Sequence, residues 1–232
     1  MRPPQAASAK PPARAASMSS LMKKEMIEAY FRALRRRIEL LSEMHSRTLT
    51  EEALILCIVY IDWLASGHYG GTGKGNKHNF CRALMELGGK PVFRMFHPLI
   101  LLEHTDKHAP AAETEIKVLI TTNPGQFLGE SDVYGAFEGS SLSVDRKKKV
   151  LAELWKTSMA ARVYDWCRNR LIHGPGYITV SFDQTVLPDG SRVWIDFELL
   201  YGALKSIFNE IERMSIEKCL WFGNAKSDSS WR

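Results

Sequence analysis

A mainly helical bundle of four or five principal helices, with a β-hairpin between the last two, is predicted by three observations in the sequence. Apolar residues recur at intervals of three and four over long stretches. One of these stretches, residues 53–65, is apolar on nearly every side and belongs in the middle of a bundle. Only around residues 177–196 does the pattern change, to short β-branched and aromatic runs either side of Pro188-Asp189-Gly190. With 232 residues, 45% of them apolar, the chain can bury a substantial core. A single domain over residues 20–222 is expected, preceded by a disordered basic tail at 1–19 and followed by a polar tail at 223–232.

Charge and cysteine usage narrow the functional classes. The formal net charge is +5, but Arg2, Lys10 and Arg14 in the acid-free first twenty residues account for three of these charges and leave the body at +2. Bulk charge is therefore a weak argument for nucleic acid. The four cysteines (Cys57, Cys81, Cys167 and Cys219) are far apart, form no CxxC pair and read as free thiols in a reducing compartment, the cytoplasm. No apolar run reaches the roughly 18 to 20 residues of a membrane span, and Asp62 interrupts the longest. The first residues are rich in Pro and Ala and lack the apolar core of a secretory signal. Their Arg/Ala/Ser content resembles a transit peptide, whereas the prolines favour a linker-like tail, with Met18 or Met22 as later starts.

In chain order, a long helix begins at Ser20, with Leu21, Met26, Ala29, Tyr30, Ala33, Ile38, Leu41 and Met44 on an interrupted apolar face. Arg35, Arg36 and Arg37 cross its waist, either as a solvated face or as phosphate contacts. Thr48 and Glu51 spell a capping box for the second helix, running to about residue 65. Asp62 within it needs a partner, with Arg168, a tryptophan, a hydroxyl or a backbone N–H as candidates. Residues 70–77, GGTGKGNK, invite a phosphate-loop reading, which fails because Gly75 follows Lys74 where a Ser or Thr should meet magnesium. A short helix over 80–87, capped by Asn76 or Asn79, and another over 92–104 follow. His97, His104 and His108 are too irregularly spaced for a persuasive metal site.

Residues 107–142 read as an irregular insertion or lid, with a short strand over 115–121. Beyond Asp145, Leu151, Leu154, Trp155, Met159, Val163, Trp166 and Cys167 mark one amphipathic helix of about six turns. Lys147, Lys148 and Lys149 stand at its entrance, where the helix dipole does not favour cations, so Lys147 and Lys148 are candidate substrate contacts. After the hairpin, a last helix starts near Asp196 and turns Leu200, Leu204, Ile207, Ile211 and Met214 to the core.

The chemistry gathers where the penultimate helix ends, in residues 166–176, WCRNRLIHGPG. Arg168, Asn169, Arg170 and His173 crowd two turns that Gly174-Pro175-Gly176 then stops. This is either an ordinary wet helix end or a phosphate-handling site. On a regular helix Asn169 and His173 share a face, while Arg168 and His173 lie about 140° apart. Arg168 then meets His173 only by distortion of the helix or across a two-fold axis. A histidine can take a proton from a ribose 2′-OH or give one to a leaving 5′-oxygen, and arginine supplies permanent planar donors to the phosphate. No Asp or Glu set at magnesium-binding spacing stands nearby, which favours a metal-free mechanism without a cofactor.

Arg168 followed by Asn169, then His173 after a four-residue gap, resembles the signature of the HEPN superfamily. The apolar segment ALILCIVYIDWLASGHYG also looks like an early bundle helix of bacterial HEPN-like proteins. The resemblance covers roughly residues 20–220 in layout, and only the short motif is specific. It implies a metal-independent endoribonuclease, often a toxin or defence effector, acting as a homodimer with the motifs of both chains in one cleft. Arg168 would then stabilise the scissile phosphate, His173 would do acid/base work, and Asn169 would position them. Beside these, Arg170 is a candidate substrate contact. The implied partners are RNA, a second copy of the chain, and an antitoxin or nucleotidyltransferase-like protein. The competing expectation is a non-catalytic HEPN-like dimerisation or partner-binding module.

Overall fold

The computed structural model describes residues 20–70, 75–168 and 180–224. The chain is mainly helical. Helices α1 (Ser20–Ser46), α2 (Thr50–Tyr69) and α3 (Asn76–Leu87) lead into a 3₁₀ turn at Pro91–Arg94. Helices α4 (Pro98–His108), α5 (Glu113–Thr122), α6 (Glu130–Gly139) and α7 (Val144–Glu153) follow. A second 3₁₀ turn at Leu154–Thr157 precedes the short α8 (Met159–Val163), and α9 (Phe197–Lys218) is the last helix. Strands β1 (Val180–Val186) and β2 (Arg192–Ile195) pair antiparallel before α9, with an irregularity between Ser181 and Val186. No helix among the described residues is long and apolar enough to cross a membrane.

Helix α2 packs on α1, α3 and α9. Its buried residues, Ala53, Leu54, Cys57, Ile58, Ile61, Leu64 and Ala65, cover three sides, while Val59 and Trp63 stay exposed on the fourth. Burying each large aliphatic side chain contributes about 1.5–3 kcal/mol, so this helix is a main contributor to the core, together with α9. Arg35 of α1 pairs with Glu212 of α9, donates to Asn209 at 3.2 Å and stacks over Phe208 at 4.8 Å. The first of the three waist arginines is thus structural, whereas Arg36 and Arg37 are exposed.

The expected capping box does not form. Thr48 is left-handed (φ 67°) and its hydroxyl donates to the Arg47 carbonyl at 2.6 Å. The helix opens at Thr50 instead, whose hydroxyl meets His45 Nδ1 at 3.0 Å, and it runs on to Tyr69. At the start of α9, the Asp196 carboxylate accepts from the Leu199 N–H at 2.8 Å, the side-chain cap expected of aspartate there. The third helix opens earlier than expected, at Asn76 after Gly75, and the stretch over 92–104 divides into the 3₁₀ turn and α4.

The stretch 107–142 is neither irregular nor stranded, because α5 and α6 fill it. Glu113 and Glu115 sit in the first turn of α5, where the helix dipole favours them. Lys117 pairs with Glu113 at 2.5 Å, one turn away. Ile116, Leu119 and Ile120 all face a second apolar cluster, formed with Phe96, Leu101, Val133, Phe137, Val150 and Leu154. Ile116 and Ile120 therefore share a buried helical face while Val118 stays exposed, and that buried face favours the helix. Short extended segments join the two cores. Phe96 exchanges both backbone hydrogen bonds with Leu128, the Met159 N–H donates to the Met95 carbonyl at 2.8 Å, and the Phe127 N–H reaches the Val186 carbonyl at 2.8 Å.

Candidate functional site

The chain does not reach the motif as a single helix. Helix α7 tightens into the 3₁₀ turn at Leu154–Thr157, and Ser158 is fully extended before α8 begins. Three hydrogen bonds made by two hydroxyl groups account for the break. Thr157 Oγ1 donates to the Leu154 carbonyl at 2.8 Å, and Ser158 Oγ donates to Trp155 at 2.7 Å while accepting from the Ala161 N–H at 3.3 Å. Such local side-chain bonds compete with the helical ladder. The apolar spacing continues through the break because both cores receive the same segment.

Tyr164–Arg168 then form a π-helical turn, a feature that often marks functional sites. Tyr164 and Cys167 are buried, with Tyr164 edge-on to Phe80 at 5.3 Å, and burial pushes the Cys167 thiol up to about 12. Asp165 is half-buried and held by Lys77, whose ammonium lies 2.7 Å and 2.8 Å from its two oxygens. The last residue of the GGTGKGNK stretch is thereby tied three residues before Arg168. The expected 140° separation of Arg168 and His173 concerns residues beyond this turn, and Asn169 to His173 lie outside the described residues.

Of the predicted catalytic residues, the backbone of Arg168 closes the π turn, while its side chain and the whole of Asn169, Arg170 and His173 lie outside the described residues. The guanidinium suggested for half-buried Asp62 lies outside them for the same reason. Lys147 is engaged elsewhere: its ammonium donates to the Glu138 carbonyl at the end of α6, where a cation suits the helix dipole. Lys148 is exposed.

Lys149 lines a small cavity of about 190 Å³ with His104, His108, Arg146 and Glu153. The two imidazoles are 4.6 Å apart, and burial, then the neighbouring His108, pushes the His104 pKa down. Among the described residues, no group of three or more His, Cys, Asp or Glu side chains is arranged to hold a metal ion. A larger cavity of about 500 Å³ opens beside α3, lined among others by His78, Arg82, Arg94 and Trp155. Sequence reading missed it because its walls come from four separate elements. In comparisons with known proteins, no family model, curated protein or solved structure matches the chain.

Proposed function

We propose that the protein is a HEPN-like, metal-independent endoribonuclease that acts as a homodimer in the cytoplasm. The observation that carries this reading is the Arg168-Asn169-Arg170…His173 motif, which begins where a π turn closes against the main core. The surrounding layout supports it: a central apolar helix, a helical segment that leads to Arg168, and a strand pair before α9.

His173 takes the proton from the 2′-OH as that oxygen attacks phosphorus. The bond from phosphorus to the 5′-oxygen breaks, and the protonated imidazole returns a proton to that leaving oxygen. Arg168 donates hydrogen bonds to the phosphate as negative charge builds on it, and Arg170 adds a second cation. Asn169 positions the pair. The products are a 2′,3′-cyclic phosphate and a 5′-hydroxyl. The Lys77–Asp165 ion pair neutralises the carboxylate nearest the motif in sequence, which lets an anionic chain approach. Activity of this kind makes the protein a toxin or defence effector, restrained by an antitoxin-like or nucleotidyltransferase-like partner.

The test is incubation of purified protein with total RNA in excess EDTA. The reading expects cleavage that survives chelation, with a loss of about 100-fold or more in Arg168→Ala and in His173→Ala. Full activity in His173→Ala would sink it. A stable dimer without cleavage would assign the chain to the non-catalytic modules.

A further inference from the structure

We propose that the larger cavity is a recognition pocket for an unstacked guanine base of single-stranded RNA. The inference takes its substrate from the ribonuclease reading and adds what selects the cleavage position. The cavity, about 500 Å³, is walled by α3, the turn at Pro91–Arg94, the start of α6 and the turn at Leu154–Thr157. A volume of this order accommodates a nucleoside. His78 and Trp155 lie on one side, ring centroids 4.9 Å apart and planes 57° from parallel. Such aromatic faces stack on bases splayed out of single-stranded RNA.

Both arginines are anchored through Nε. Arg82 Nε donates to Glu86 at 2.7 Å, and its guanidinium rests over Tyr69 at 4.3 Å. The Tyr69 hydroxyl in turn donates to the other Glu86 oxygen at 2.9 Å. Arg94 Nε donates to the Met85 carbonyl at 2.6 Å, while its Nη1 stands 3.9 Å from Glu130, beyond hydrogen-bond reach. The terminal nitrogens of two oriented guanidinium groups are left for a ligand, with little further ordering needed on binding.

The charge balance selects the occupant. Two guanidinium groups face two carboxylates, so the cavity has no net positive field to favour a phosphate. A neutral base with both donors and acceptors suits it better. Guanine presents the adjacent acceptors O6 and N7 to an arginine fork. Alone among the four RNA bases it also presents the adjacent donors N1–H and N2–H₂, which a carboxylate accepts. The position fits a selector beside the cleavage site, since His78 follows Lys77, whose ammonium holds Asp165 at the entry to the motif.

The experiment titrates His173→Ala protein, which leaves substrate uncut, with labelled single-stranded RNA oligomers that differ only in one central base. The guanine oligomer is expected to bind about tenfold tighter than the other three. Trp155→Ala in that background should weaken its binding by about 5- to 100-fold. Because Trp155 also packs on the main core, Arg94→Gln and Glu130→Gln test the pocket at its solvent-facing rim, and each should abolish the preference for guanine. Equal binding of all four oligomers, or a preference unchanged in both rim variants, overturns the proposal. So does displacement of all four alike by millimolar inorganic phosphate. Guanine selectivity that depends on the rim, in a wild-type protein that never cuts RNA, upholds the pocket and overturns the ribonuclease reading. Cleavage without guanine selectivity does the reverse.

Discussion

Lys77 and Asp165 are 88 positions apart and meet at 2.7 Å, each about one-third exposed. A surface ion pair contributes little, about 1 kcal/mol or less. Leaving the half-buried carboxylate without its cation costs more, about 1–3 kcal/mol. Lys77→Met should therefore lower the urea midpoint clearly, and adding Asp165→Asn should recover most of the loss. A double variant no more stable than Lys77→Met alone would show that the lysine acts by packing instead. The pair was not legible in the sequence. Lys77 stood out as the end of a Gly/Lys loop, and nothing local names a partner that only the packing of α3 on the π turn supplies. The Lys147 contact was hidden for a related reason: dipole logic applied to its own helix does not reveal the carbonyl it meets at the end of α6.

Among the elements, α1, α2 and α9 were legible because their apolar spacing is long and their surroundings are uniform. Helix α5 was misread as a strand because Ile116, Val118 and Ile120 alternate over too short a run to separate the two periods. Its buried face and its Glu113–Lys117 pair decide for the helix. The break at Ser158 was hidden by apolar spacing that continues across it. Gly67 of α2 shows how one element constrains another. A Cβ there would lie 2.7 Å from the ring of Phe222, in the turn that follows α9. Alanine is the better helix former by about 1 kcal/mol, but overpacking against a buried ring costs about 1–3 kcal/mol. Gly67→Ala should accordingly lower the melting temperature, and a raised one would contradict the tight α2–Phe222 contact.

At the scale of the whole molecule, two cores share one chain. The main core holds α1, α2, α3, α8 and α9, and the second gathers α4 to α7. The 3₁₀ break and the extended residues at 95–96, 127–128 and 158 join them. The mainly helical class was legible in the sequence, whereas the second core was not, since its helices are short and read as a loop. The cavity proposed for guanine opens where elements of the two cores meet, and the π turn toward Arg168 runs on from the same seam. The proposed homodimeric ribonuclease is tested most directly through the arrangement in which Arg168 of one subunit acts with His173 of the other on RNA. In a two-fold dimer, an Arg168→Ala chain paired with a His173→Ala chain rebuilds one complete site of the two. The most direct measurement mixes the two silent variants under conditions that exchange subunits and assays RNA cleavage in EDTA. The account predicts recovery of about one quarter of wild-type activity at equal amounts, from random pairing. A mixture as silent as its components, beside an active wild type, would contradict it.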